Sequence, residues 1–413
     1  MGGDTPHDRG RAAVTSARSV YPGKVSARLL RSVALLAPIA ALVFSLVFSP
    51  TLRAQDAPKA IINQDISAFD ISSQNNIVYA VPHRKFIQKY ILDRDDIFIA
   101  STANGKINRI VDSDKFLPAP PIVGYAVNSL SWSPDGKRIA ANMTIEPIPA
   151  RLEERLEAKK HKDKKKRDDQ SDDDDDDDYQ PPSSKPSLGG SVVALFDDEG
   201  HQIQVTGSKS GFIDNASNAA WLADDQSVVY TSGAQIMRMR PADGATTKLF
   251  EGHEFQAVAW DAPRNRAFAI GEDITVYGGL ALVELDLLHQ TIAPLAQLTS
   301  YRSSLVVSPS GAKVGFFQNG DTIEVIDVNS PSKPIFANAG LGFFQFGPNE
   351  RRVLLKRGPE GQSNDLVWVG LHDDSFSPAL HDLEYHAFQI APDGNSVAVT
   401  EPGKRILKIF SLE

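Results

Sequence analysis

The ten residues Ser131-Trp132-Ser133-Pro134-Asp135-Gly136-Lys137-Arg138-Ile139-Ala140 constrain this chain more than any other stretch, because weaker copies of them recur from residue 68 to the C-terminus. Leu130 and Trp132 alternate with polar neighbours, and Ser-Pro-Asp-Gly places Pro second and Gly fourth in a type I turn. Ile139, Ala141 and Met143 then restart the alternation, so the stretch predicts a β-hairpin.

With Trp132 as the anchor, an apolar residue followed by a polar turn recurs at Ile71, Trp221, Trp260, Val307, Phe346 and Ile390. The turns include Pro309-Ser310-Gly311, Pro348-Asn349-Glu350 and Pro392-Asp393-Gly394, and second strands resume at Val228/Tyr230, Val314/Phe316, Val353/Leu355 and Val397/Val399. The anchors after Trp221 are spaced by 39, 47, 39 and 44 residues, against roughly 40–45 for a four-stranded propeller blade. Seven anchors predict an all-β, seven-bladed propeller of four-stranded antiparallel blades. The C-terminal unit offers only three strands, at 388–390, 397–399 and 406–410, so a segment near 60–66 is expected to complete it and close the ring.

These hairpins carry a family resemblance. The Ser-Pro-Asp-Gly-Lys turn resembles the WD40-like repeat of TolB-type periplasmic β-propellers, and also that of the propeller domain of prolyl-oligopeptidase-family peptidases. The copies at 131–140 and 389–398 are nearest that pattern. The resemblance implies a propeller over about 60–413. A peptidase of that family would carry a Gly-x-Ser-x-Gly elbow, whereas the nearest string, Gly207-Ser208-Lys209-Ser210-Gly211, has lysine at the nucleophile's place.

Composition narrows the rest. The chain of 413 residues is 41% hydrophobic, enough for one large core at 55–413, and has no cysteine, which excludes disulfides, thiol catalysis and thiolate-bound zinc. Residues 1–54 hold seven basic and two acidic residues, leaving 36 basic against 50 acidic in the remainder, a balance that argues against nucleic acid as a partner.

Arg9, Arg11, Arg18, Lys24, Arg28 and Arg31 precede an uncharged run at 32–49, and Pro50-Thr51-Leu52-Arg53-Ala54 follows. The pattern predicts a helical export signal over 1–54, cleaved near Gln55, or an uncleaved membrane anchor through 32–49. Either places the propeller outside the cytoplasm, in the periplasm or an equivalent extracytoplasmic space. A second departure from the repeat lies at about 145–190: mixed charges at 151–160, a basic run at 162–167 and seven aspartates at 172–178. So little apolar content predicts a disordered insertion within blade two.

No phosphate loop or dinucleotide fingerprint is present, and no cofactor is expected. Ser310 and Lys313 satisfy Ser-x-x-Lys but fall in a hairpin turn, and His381-Asp382-Leu383-Glu384-Tyr385-His386 lacks a zinc spacing, so neither is assigned as a catalytic or metal site. The expectation is a non-catalytic module that binds a protein in the cell envelope. The alternative is a propeller enzyme, lactonase- or hydrolase-like, with a metal or substrate in the central channel. In a four-stranded blade the loop into the innermost strand and the loop between strands two and three share one rim, the rim from which the insertion springs. Its expected binding residues are Tyr125, Asp214, Asn215, His253, Glu254, Tyr301, Arg302, Glu384, Tyr385 and His386.

Overall fold

The computed structural model describes residues 58–412 except 59, 88–89, 117–121, 148–189, 207–215, 252–254, 273, 275–277, 319–321, 339–342, 358–363, 374, 384–386 and 401–405. The signal or anchor expected over 1–54 lies outside the described residues. Among those described, no helix is long and apolar enough to cross a membrane.

Strands follow one another at short intervals. A short β1 (Ala60–Ile62) leads into β2 (Ala68–Ile71), β3 (Asn76–Ile87), β4 (Tyr90–Ser101) and β5 (Ile107–Val111). Next come β6 (Ile122–Trp132), β7 (Arg138–Pro147), β8 (Gly190–Asp197) and β9 (Gln202–Val205). The third group is β10 (Ala216–Trp221), β11 (Val228–Ser232), β12 (Gln235–Arg240) and β13 (Ala245–Phe250). The fourth is β14 (Phe255–Asp261), β15 (Arg266–Glu272), β16 (Leu280–Asp286) and β17 (Thr291–Gln297). Then follow β18 (Ser303–Val307), β19 (Lys313–Phe317), β20 (Thr322–Asp327) and β21 (Ile335–Asn338). After β22 (Phe344–Phe346), β23 (Arg352–Arg357), β24 (Asn364–Gly370) and β25 (Phe376–Leu383), the chain closes with β26 (Ala387–Ile390), β27 (Ser396–Thr400) and β28 (Leu407–Ser411).

Two features of this arrangement matter for the expected fold. The last sheet has the order β1-β28-β27-β26, with Ala60 paired to Ile409 and Ile62 to Leu407, so the strand expected near 60–66 does complete the C-terminal unit. The expected seven separate four-stranded blades are corrected to five, because β2 to β9 form a single eight-stranded sheet. The cause is length. β3 and β4 pair over twelve residues, out to Ile87 opposite Tyr90, and the extended β4 meets β6 in a parallel bridge between Arg94 and Tyr125. Asp95, 1% exposed, fastens the joint: its carboxylate accepts from Val127 N at 2.8 Å and Ser67 Oγ at 3.0 Å, while its carbonyl accepts from Tyr125 Oη at 3.0 Å.

The middle strands read as unbroken apolar runs because both of their faces are covered. Val228 and Tyr230 of β11 pack towards β8, whereas Val229 between them packs towards β15 and β16. Likewise Val397 and Val399 join the core shared with β23 and β24, and Ala398 joins that shared with β3. These cores therefore lie between consecutive sheets, and alternation along one strand serves two of them, while the core built from Ala68 to Val205 lies between the two halves of the eight-stranded sheet.

The hairpin repeats explain themselves at the level of hydrogen bonds. Gly136 sits at φ +69° and donates to Ser133 O, while Ser133 Oγ accepts from Arg138 N at 2.9 Å. The copies reproduce this: Gly311 at φ +70° donates to Ser308 O and Lys313 N to Ser308 Oγ, and Gly394 at φ +72° donates to Ala391 O. A glycine fourth in the turn supplies the left-handed backbone that a side chain resists.

The turns also tie neighbouring units together. Asn75 Nδ2 donates to Asp393 Oδ2, Ser73 Oγ to Pro134 O, Asp135 N to Asp225 Oδ1 and Arg266 to Gly311 O. Ser310 donates through N and Oγ to the Glu350 carboxylate, and Lys313 Nζ donates to Glu350 O at 3.2 Å. Ser310 and Lys313 thus sit in a hairpin turn, as the repeat predicted, and bond to the next unit.

Candidate binding face

At the opposite rim, where the innermost strands begin, four consecutive inner strands converge on a cavity of about 460 Å³. The β2 approach contributes Ile66, Ser67 and Phe69, β6 contributes Asn128, β22 contributes Gln345 and the preceding Phe343, and β26 contributes Phe388 and Gln389. Phe343 remains 44% exposed although its ring lies 5.4 Å from that of Phe388. An exposed ring backed by the buried Phe388 at a concave mouth is suited to receive an apolar side chain.

The polar groups are fixed in orientation by the strands on either side. Gln345 Oε1 accepts from Ile390 N at 2.7 Å, which leaves its Nε2 with no other partner among the described residues. Gln389 Nε2 donates to Asp70 Oδ1 at 2.6 Å, which leaves its Oε1 as an acceptor. Asn128 Nδ2 donates to Thr144 Oγ1 at 2.7 Å, leaving a second carbonyl oxygen. Neighbouring strands therefore present one amide donor and two amide acceptors beside the aromatic pair.

Asp70 anchors this arrangement from below. It also accepts from Trp132 N at 2.7 Å and Ile71 N at 2.8 Å. Burial pushes its carboxyl above the ordinary range, opposed by the bonds from Trp132, Gln389 and Ile71. The chain Gln345 to β26, Gln389 to Asp70, and Asp70 to β6 fixes four inner strands in register around the cavity.

The residues expected to bind are scattered in the structure. Tyr125 is fully buried; burial and the nearby Asp95 and Asp96 carboxylates push its phenol well up, and Phe116 packs edge-on at 5.6 Å. Tyr301 is half-buried against Phe316, with ring centroids 6.2 Å apart, and burial raises its phenol. Arg302 is exposed just before β18. Asp214, Asn215, His253, Glu254, Glu384, Tyr385 and His386 lie outside the described residues, as does the string at 207–211. Among the described residues, no three His, Asp or Glu side chains are grouped so as to hold a metal ion.

Phe343, Phe388, Gln345 and Gln389 were missed by reasoning about loops. The signal was present in the strands: a polar residue stands just before the anchor in Asp70-Ile71, Ser131-Trp132, Gln345-Phe346 and Gln389-Ile390.

No family model matches the chain, and no curated protein matches its sequence. Solved structures do resemble it. A chain of the crystal structure of the mitotic checkpoint complex aligns with a TM-score of 0.55 and 11% identity, over 87% of this chain and 96% of that one. The Cps50 (Swd1) β-propeller domain of Myceliophteria thermophila aligns with a TM-score of 0.54 and 10% identity, over 87% of this chain and all of that one. At such identities the likeness establishes the β-propeller fold.

Proposed function

We propose that this chain is a non-catalytic interaction module that holds a short extended segment of a partner protein in the mouth cavity. The observation carrying this reading is the set of leftover amide groups beside the aromatic pair. Gln345 Nε2 offers a donor, Gln389 Oε1 and Asn128 Oδ1 offer acceptors, and Phe343 with Phe388 offers an apolar seat. A peptide backbone needs one acceptor and one donor per residue, and an apolar side chain supplies the anchor. The neighbouring rim, with Tyr301 and Arg302, would extend the contact.

The module is read as TolB-like and exported, working in the cell envelope after cleavage near Gln55 or while tethered through 32–49. The basic leader and uncharged run support that reading. N-terminal sequencing of the native protein distinguishes the two forms, and an intact N-terminus in a soluble cytoplasmic fraction would refute both.

Photo-crosslinking tests the binding site. A photoreactive phenylalanine analogue at Phe343 should yield a discrete adduct with one protein in cells, and the same analogue at Gln226 on the opposite rim should not. Adducts only from Gln226 would overturn the assignment of the face.

A further inference from the structure

On the rim opposite the mouth, the first two hairpin groups leave a cleft of about 340 Å³ between them, within the roughly 300–1,000 Å³ typical of small-molecule sites. Its apolar lining is Ile99 and Trp132, both buried in the shared core. Its walls are the turns that carry Gln74, Asn104, Lys106, Lys137 and Asp198.

On this rim the polar turn residues bind the next unit, and here Ser73 Oγ and Gln74 Nε2 reach Pro134 O and Asp135 O, but several polar ends beside them stay unused. Asn104 Oδ1 accepts from Lys106 N at 2.9 Å, so its Nδ2 is left to donate. Gln74 Nε2 reaches Asp135 O at 3.5 Å, so its Oε1 is left to accept. Lys106 Nζ and Lys137 Nζ make no hydrogen bond or ion pair among the described residues. In contrast, Arg109, Lys115, Arg238, Arg240, Lys248 and Arg266 all hold carboxylates in a chain with acid in excess. The Lys137 strand is held in place, since Asp198 N donates to Lys137 O at 2.9 Å.

We infer that this cleft is a second binding site, for a small polyhydroxylated molecule bearing one carboxylate or phosphate. The two ammonium groups and the Asn104 amide face an anion, the Asp198 carboxylate and Gln74 Oε1 accept from hydroxyls, and Trp132 and Ile99 meet the carbon skeleton. The site is separate from the mouth cavity and does not depend on the function proposed for it.

Calorimetric titration of the full chain tests the inference with four probes: glucuronate, glucose 6-phosphate, glucose and inorganic phosphate. One of the charged sugars should bind, which one identifying the anion, and glucose and phosphate alone should each bind at least about tenfold more weakly. Replacing both lysines, Lys106→Gln with Lys137→Gln, should lower the affinity about tenfold or more and leave the unfolding midpoint unchanged. Equal binding of glucose, equal binding of bare phosphate, failure of both charged sugars, or undiminished binding by the double variant would each overturn it.

Discussion

Replacing Asp95 with alanine should loosen the joint between β4 and β6 by an amount the structure allows to be worked out. The variant leaves Val127 N buried without its 2.8 Å acceptor, a loss of about 1–3 kcal/mol, and removes the 3.0 Å bond from Ser67, about 1 kcal/mol more. Part is regained, because Asp95 is a desolvated acid: burial pushes its carboxyl up, against the opposing bonds from Val127 and Ser67. A net loss of about 2 kcal/mol lowers Tm by roughly 4 °C. Asp95→Asn keeps one acceptor oxygen and should lose less. Since the folded carboxyl titrates above the unfolded one, the folded state binds more protons between the two values, and wild-type stability from this group falls as pH rises through that window. The gap between wild type and Asp95→Ala should therefore widen on acidification from pH 7 through the raised folded pKa. Thermal unfolding at several pH values, with hydrogen exchange at Val127, measures both effects. An unchanged Tm with Val127 still protected, or a gap that narrows in acid, would show that the backbone bridge alone holds the sheet.

Three other outcomes follow from single positions. Ile62→Asp places a carboxylate in the core that seals β1 onto β28 and should cost about 3 kcal/mol or more, with exchange accelerated across β28; unaltered β28 protection would contradict ring closure by this strand. Gly200→Ala should cost roughly 2 kcal/mol, because Gly200 sits at φ +94° and a Cβ there would overlap Ile110 O, whereas Gly105→Ala, at φ +67° in open space, should cost only about 1 kcal/mol by urea denaturation. Phe343→Ser, at a 44% exposed ring, should shift stability by less than about 1 kcal/mol while weakening the crosslinked partner's binding about tenfold, and equal affinity would remove the aromatic seat from the site.

Much of the fold was legible because its unit is local. Trp132 and its six counterparts each precede a short polar turn, most with a glycine or serine within a few residues, so a single sequence reveals the hairpin. The closing strand was legible by subtraction, from a last unit one strand short. The fusion of β2 to β9 into one sheet was not, because it depends on Asp95 meeting Val127, 32 residues away, and no periodicity marks such a pair. The acidic run Asp93-Arg94-Asp95-Asp96 reads as a solvated stretch, yet Asp95 is 1% exposed. The mouth residues were hidden differently. Gln345 and Gln389 look like ordinary polar positions of half-buried strands, and their role emerges only once the direction of each amide is set by the neighbouring strand.

That directional constraint separates the two rims chemically. On the turn rim, Ser310 meets Glu350, Asp135 meets Asp225 and Asn75 meets Asp393, so donors and acceptors cancel between neighbours and rigidify the ring. At the mouth, the bonds that set Gln345 and Gln389 engage only one end of each amide and aim the other end into the cavity's perimeter. A rigid ring that fixes half of each amide presents the other half without further loss of side-chain freedom on binding. The mouth is therefore suited to recognition without rearrangement of the sheets, and partner binding should leave exchange rates in the outer strands β5, β13 and β21 unchanged while slowing those at the start of β22 and β26. Slowed exchange spread evenly over all sheets would instead mean that binding acts on the ring as a whole.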